Sequence, residues 1–313
     1  MTEPIDAVLL IAFGGPEKPE DIRPFLANVT GGRPIPPARL EEVAHHYEVM
    51  GGRSPLNELT FRQADALRAR LRAEGLRVPV YVGMRNWAPH LHETLAAMAA
   101  DGIRTALGLI LSPHQTEASW ERYQANVAEA RARAGVSAPA VRYTSGWFDR
   151  PGFIEAMADR VRDALAGIPA AERAAAPLVF TAHSVPVPMA ETSPYVAQVT
   201  ESSRLAAARL GHTPHGGWSI AYQSRSGRPE DPWLEPAVGD EIRRLAAAGA
   251  RHVVVAPIGF VCDHVEVLYD LDVEARAIAK GRGLGFHRAA TVSDHPAFID
   301  MLADLVREGG GAQ

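Results

Sequence analysis

Cysteine is nearly missing from this chain. Cys262 is the single one in 313 residues. One thiol excludes an intrachain disulfide framework, a four-cysteine zinc site and an iron-sulfur cluster held wholly by this chain's cysteines. A reducing compartment is therefore expected. Long apolar runs are also lacking, since none approaches the roughly 20 residues of a membrane span. The opening stretch from Met1 to Phe13 carries acids before a short apolar run, unlike the basic flank of a secretory signal. The expectation is a cytoplasmic chain without an integral membrane segment. Positive charge is in deficit, with 32 Lys and Arg against 37 Asp and Glu and a net charge of −5. No sequence-wide basic field exists to hold nucleic acid or an anionic membrane surface. Three catalytic signatures are missing too: the Walker-type G-x-x-x-x-G-K-[ST], the H-E-x-x-H zinc helix and the G-x-S-x-G nucleophile elbow.

What is there reads as globular, with 47% hydrophobic and 22% charged residues, in a length that suits two ordinary domains. Short apolar runs alternate with longer amphipathic stretches. Ala7 to Phe13, Val78 to Gly83, Thr105 to Ser112, Leu178 to Ala182, Trp218 to Tyr222 and Val253 to Ile258 are expected to be buried parallel strands. Between them lie helical patterns, such as Glu58 to Glu74, where Phe61, Ala64, Leu67 and Leu71 are expected to share the buried face. Another helix is expected to begin near Glu117, and others over Arg150 to Gly167 and His295 to Arg307. The alternation predicts an α/β fold of two doubly wound halves. Their expected extents are residues 1–145 and 146–290, with a terminal helix in 291–313 packing back on the first half.

In open α/β sheets, functional groups gather at the carboxyl ends of strands, where loops face a crevice. That rule selects Thr181-Ala182-His183-Ser184-Val185-Pro186, in which a strand delivers His183 to the edge and Pro186 and Pro188 delay the next helix. An imidazole hydrogen-bonded into the strand-end backbone is the ordinary alternative. The rule also selects the long stretch from Pro257 to Glu274, a strand that becomes a helix. At helical spacing Glu266, Asp270 and Glu274 stack on one side, with Asp263 adjoining. Such a ladder is either a solvated face or a path for a divalent cation, whose charge removes the mutual repulsion. Phe13, Trp87 and Tyr123 are candidates for a flat apolar pocket, though any one of them alone would pass for a core residue.

Several segments agree, in order, with one family. Ala182-His183-Ser184-Val185-Pro186, Asp231-Pro232-Trp233-Leu234-Glu235-Pro236 and Gly259 to Asp272 resemble the histidine, tryptophan and metal-site motifs of ferrochelatases. Phe13-Gly14-Gly15-Pro16, His46-Tyr47 and Gly51-Gly52-Arg53-Ser54-Pro55-Leu56 extend the resemblance, closest to actinobacterial members acting on coproporphyrin III. It implies a chelatase fold of two Rossmann-like domains, each a parallel sheet flanked by helices, with the porphyrin in a cleft between them. It also implies that His183 and Glu266 are the catalytic and iron-binding pair. Porphyrin contacts fall on Phe13, Thr30, His46, Tyr47, Ser54 and Tyr123, and an acidic metal path on Asp270 and Glu274. Thr30 stands where some relatives have arginine, so a propionate contact is either lost or supplied by Arg33, Arg53 or another cation. Phe13 replaces a tyrosine of some relatives, so it can stack but cannot ligate iron through oxygen. Some actinobacterial members carry an iron-sulfur cluster; Cys262 alone cannot hold one, and none is expected here.

The implied activity is insertion of Fe²⁺, as a substrate, into coproporphyrin III during haem biosynthesis, with no permanently bound cofactor. Insertion removes two pyrrole protons, which calls for a base, a ligand and an apolar wall. The sequence permits His183 to be base or ligand, with Glu266 as its partner. Three other readings stand beside this one: a chelatase acting on protoporphyrin IX, a cobalt chelatase acting on a corrin precursor, and a non-catalytic porphyrin or haem carrier.

Overall fold

The computed structural model describes residues 4–32, 36–211, 217–226, 228 and 230–310. The chain divides into two compact units. The first comprises the described residues of Met1–Ser112, Ala118–Ser145 and Ile299–Gln313, and the second Pro113–Glu117 and Gly146–Phe298.

In the first unit, strands β1 (Ala7–Ala12), β2 (Val80–Met84), β3 (Thr105–Ile110) and β4 (Ala140–Tyr143) form one sheet in the order β2-β1-β3-β4. Every pair is parallel. β1 is central and has no accessible surface from Ala7 to Ile11, which is why it reads as an unbroken apolar run. Gly108 lets β4 come close, because a Cβ there would lie 2.9 Å from Val141 Cγ1 and 3.0 Å from the Tyr143 ring. The last helix, Pro296–Gly310, reaches this sheet with its C-terminal turn, where Gly309 leaves room for Leu107.

The second unit repeats the plan with β5 (Leu178–His183), β6 (Trp218–Gln223), β7 (His252–Ala256) and β8 (Gly285–Arg288), in the order β6-β5-β7-β8 and again all parallel. One face of this sheet packs Val179, Val253 and Val255 on Ile242, Val267 and Leu271, all without accessible surface. Each such side chain contributes about 1.5–3 kcal/mol on burial. Trp147 is also fully buried, edge-on to Phe153 at 5.3 Å and tilted against Phe298 at 5.7 Å.

The strand expectations meet their elements with shifts of at most two residues at the ends, while β4 and β8 have no expected counterpart. Phe61 corrects the sequence reading: it is 39% exposed, although the helix Leu56–Ala73 buries Ala64, Leu67 and Leu71. At 100° per residue Phe61 lies roughly a quarter turn from the centre of the buried stripe. The stripe is completed by Leu56 and by three polar residues, Asn57, Thr60 and Gln63. Among the described residues, no helix is long and apolar enough to cross a membrane.

Candidate active site

In the sheet order β6-β5-β7-β8 the chain leaves β5 toward one neighbour and later returns to the other side. The carboxyl ends of β5 and β7 therefore flank a topological switch point, where α/β sheets open a crevice. His183 is the last residue of β5, and Glu266 follows β7 at the start of a helix, Val265–Val267. His183 Nε2 lies 3.8 Å from Glu266 Oε2, with the two side chains 34% and 50% exposed. The other ring nitrogen, Nδ1, contacts the Ser184 carbonyl oxygen. A carbonyl can only accept, so Nδ1 carries the proton and Nε2 presents its lone pair toward Glu266. The site thus opposes two acceptors across a gap too long for a hydrogen bond. A proton or a cation placed there would satisfy both.

The backbone around His183 is fixed from several sides. The buried Tyr195 hydroxyl donates to the His183 carbonyl at 2.8 Å, and Ser184 N donates to the Gln223 carbonyl at 2.7 Å. The segment Asp231–Pro236 runs antiparallel beside Val185–Val187: Pro186 bridges Trp233, Leu234 N donates to Val185 O at 3.0 Å and Val187 N to Pro232 O at 2.9 Å. Ser184 Oγ adds a bond to Leu234 O at 2.9 Å. The tryptophan segment is thus the clamp that holds the loop after His183. On the other side, Gly259 N donates to Thr181 O at 3.0 Å, and a Cβ at Gly259 would come within 2.7 Å of Ala182 Cα.

The acidic ladder takes a different helical form from the expected one. After one short α-turn the chain becomes a π-helix, Leu268–Ala275, before returning to α at Arg276–Gly281. The wider i→i+5 turn keeps a four-residue spacing near one side, and such segments recur at functional sites. Asp270 sits in a half-buried niche where the Ser224 hydroxyl donates to Oδ2, and Gln223 Nε2 lies 3.5 Å from the same oxygen. Burial pushes its pKa up to about 7, with the Ser224 bond opposing and the charges of Glu266 and Glu274 adding to the rise. Glu266 and Glu274 are exposed. Asp263 is drawn away from the ladder by Arg288, whose guanidinium lies 3.1 Å from Asp263 and 2.8 Å from Asp272. His264 caps the same helix with its ring edge-on to Phe260 at 4.9 Å, and burial lowers its pKa against the pull of Glu266 and Asp263.

In the first unit, the corresponding switch point lies between β1 and β3, and Phe13 follows β1. Phe25 gathers the aromatic candidates, with its ring 6.2 Å from Phe13, 5.8 Å from Tyr47 and 6.3 Å from Trp87, each edge-on. Arg85 places its guanidinium 5.7 Å from the Phe13 ring centre and 5.2 Å from that of Tyr123. Phe13 is partly exposed, whereas Tyr47 and Tyr123 are each 8% exposed. His46 precedes Tyr47 on the helix Pro37–Val49. Thr30 ends the helix Ile22–Thr30, where its hydroxyl donates to Ala27 O at 2.9 Å. Ser54 is buried against Gly15, where any Cβ would lie 2.7 Å from that of Ser54. Arg53 is exposed, and Arg33 lies outside the described residues.

Sequence reading missed Gln223, Ser224 and Arg85. All three sit at or just beyond the carboxyl ends of β6 and β2, so the strand-end rule that selected His183 would have reached them.

The family model described as Ferrochelatase matches residues 5–309. The chain belongs to the ferrochelatase family. Among curated relatives, the coproporphyrin III ferrochelatase of Mycolicibacterium smegmatis is 45% identical over 306 residues, covering 97% of this chain and 89% of that protein. The enzyme of the same name from Streptomyces coelicolor is 44% identical over 323 residues, covering 98% and 86%. Among solved structures, SirB from Bacillus subtilis with Fe³⁺ aligns over 99% of this chain and 96% of its own, with a TM-score of 0.58 at 12% identity. That likeness supports the chelatase fold. Membership makes this chain a metal chelatase whose substrates are a porphyrin and iron.

Proposed function

We propose that this ferrochelatase-family chain inserts Fe²⁺ into coproporphyrin III to give Fe-coproporphyrin III. The relatives of that name support the choice of porphyrin, and the single observation that carries the chemistry is the opposed pair His183 and Glu266. Insertion exchanges two pyrrole protons for one Fe²⁺, so two protons must leave the ring. In the proposed sequence His183 Nε2 accepts a pyrrole proton, and Glu266 receives the positive charge that appears on the imidazole. With a proton on Nε2 the 3.8 Å gap becomes an ion pair and not a clash of acceptors. Loss of that proton to water restores the lone pair for the second abstraction or for iron.

Asp270 and Glu274 extend the carboxylate path by which the hydrated cation is handed to Glu266. Oxygen and imidazole donors suit Fe²⁺. Phe13, which is partly exposed, supplies flat apolar surface to the macrocycle, with Tyr123, Tyr47, His46, Thr30 and Ser54 as the remaining contacts. Phe13 stacks and does not ligate. The reading includes no resident iron-sulfur cluster, because Cys262 is the chain's one cysteine and is buried. It also places the reaction in the cytoplasm.

The test is an anaerobic absorbance assay with Fe²⁺, run in parallel on coproporphyrin III and protoporphyrin IX. Faster metallation of coproporphyrin III is expected. Preference for protoporphyrin IX would move the pathway step, and no turnover with either would leave a carrier.

A further inference from the structure

A second group of metal-binding side chains lies at the opposite edge of the second unit's sheet. His252 is the first residue of β7, and His287 lies on the neighbouring edge strand β8, where Val254 pairs with His287 and His252 with Gly285. His252 Nδ1 and His287 Nε2 face each other at 3.2 Å, with ring centres 5.2 Å apart and planes tilted by 54°. The remaining nitrogen of His252, Nε2, is 3.0 Å from Glu172 Oε2.

The carboxylate decides the tautomer. Glu172 accepts, so His252 Nε2 carries the proton and Nδ1 is left with a lone pair aimed at His287. A carboxylate behind a histidine is the arrangement that orients metal-ligating imidazoles and raises their basicity. Metal–nitrogen bonds of about 2.0–2.1 Å, spanning two nitrogens 3.2 Å apart, subtend roughly 100°, close to the tetrahedral value. The backbone is shaped around the pair. A Cβ at Gly285 would lie 2.3 Å from His252 Nδ1, so only glycine lets the ring occupy this position.

Nearby positive charges are already compensated. Arg251 lies 3.4 Å from Glu172, and Arg276 pairs with Asp272 at 2.8 Å and covers the Phe286 ring. Among the described residues no three His, Cys, Asp or Glu side chains converge on one metal position. The protein therefore supplies two nitrogens, and water completes the sphere.

We propose that His252 and His287, oriented by Glu172, form a second divalent-cation site. It takes imidazole-preferring ions such as Zn²⁺, Ni²⁺ or Cu²⁺, ties β7 to the edge strand β8 and is separate from the pair His183 and Glu266. The test is Zn²⁺ titration calorimetry on the untagged full chain carrying His183→Ala and Glu266→Gln, which disables the insertion pair. One Zn²⁺ per chain is expected. His287→Gln and His252→Gln should each weaken binding at least about tenfold, and Glu172→Gln by about tenfold. A thermal melt with and without Zn²⁺ on the same proteins checks that each variant folds, and the Zn²⁺-dependent rise in Tm should vanish with either histidine. Absence of Zn²⁺ binding in the insertion-disabled chain, or equal affinity in a folded His287→Gln variant, would overturn the proposal.

Discussion

The lone pair of His183 Nε2 points at Glu266 Oε2 across 3.8 Å, with the opposite ring nitrogen committed to the Ser184 carbonyl. A tautomer set by the backbone gives the imidazole one available basic atom. His183→Ala should therefore lower kcat/KM by about 10²–10⁴-fold, the usual contribution of a positioned base. Because the ring is one-third exposed, stability should change by no more than about 1 kcal/mol. The His183→Ala, Glu266→Gln double variant should be little worse than the poorer single variant, since residues acting as one unit are not additive. Initial rates on coproporphyrin III, with a melt of each variant, measure both. Multiplicative losses would mean that the two act independently.

Asp270 links the same site to stability. Its folded pKa of about 7 lies above the ordinary 3.8 of an aspartate, so between these values the folded chain holds a proton there that the unfolded chain has released. Stability from this group is complete below about pH 4 and is lost as pH rises through 7. Asp270→Asn removes that loss. The variant should melt at the same temperature as the parent at pH 4 and higher than it at pH 8, while iron insertion slows. A Tm difference independent of pH would refute the buried, proton-holding carboxylate.

Gly259 tests the close approach of the β7 exit loop to β5. Its Cβ in Gly259→Ala would meet Ala182 Cα at 2.7 Å and Cβ at 2.8 Å, and both belong to a strand that cannot yield locally. A cost of about 1–3 kcal/mol is expected. The displaced loop leads to Glu266, so turnover should fall more than the fraction folded. Urea unfolding alongside the rate assay separates the two effects.

What could be read from the sequence follows physical signal strength. The six strands with apolar runs were legible because burial on both faces removes polar residues. β4 and β8 are not, since Ala140–Tyr143 and Gly285–Arg288 are short, contain no fully buried residue and carry mixed residues, whereas the other two edge strands, β2 and β6, each keep buried residues. Phe61 departs from the expectation because its angular position outweighs its hydrophobicity, and Asn57, Thr60 and Gln63 fill the stripe. His183 and Glu266 were reachable through strand ends and motif resemblance. The bond between Ser224 and Asp270 is not legible, because the strand-end rule reaches Ser224 just beyond β6 but not its left-handed φ of 62° or its partner on a distant helix. Likewise, nothing in the spacing of His252 and His287 hints that parallel pairing sets them side by side.

His114 offers a test that involves no metal. Its ring is 2% exposed, edge-on to Phe153 at 6.5 Å and Tyr195 at 6.1 Å, with Nε2 3.0 Å from Ser202 Oγ. Ser202 Oγ also lies 2.7 Å from Phe148 O and 2.9 Å from Gln198 O. A hydroxyl has one proton, which goes to a carbonyl, so Nε2–H of His114 donates to the hydroxyl oxygen. Burial pushes the pKa down to about 3 from 6.5. Below pH 6.5 the unfolded chain takes up a proton that the folded chain refuses, so stability falls with falling pH, by up to about 1.4 kcal/mol per unit from this group. Above pH 6.5 both states are neutral and the contribution is flat. Between pH 6.5 and 5 the parent should therefore lose about 2 kcal/mol more than His114→Gln, which lacks a titrating ring. Urea midpoints at pH 7.5 and pH 5 on both proteins measure the difference, and parallel losses would show that the His114 ring accepts its proton without unfolding.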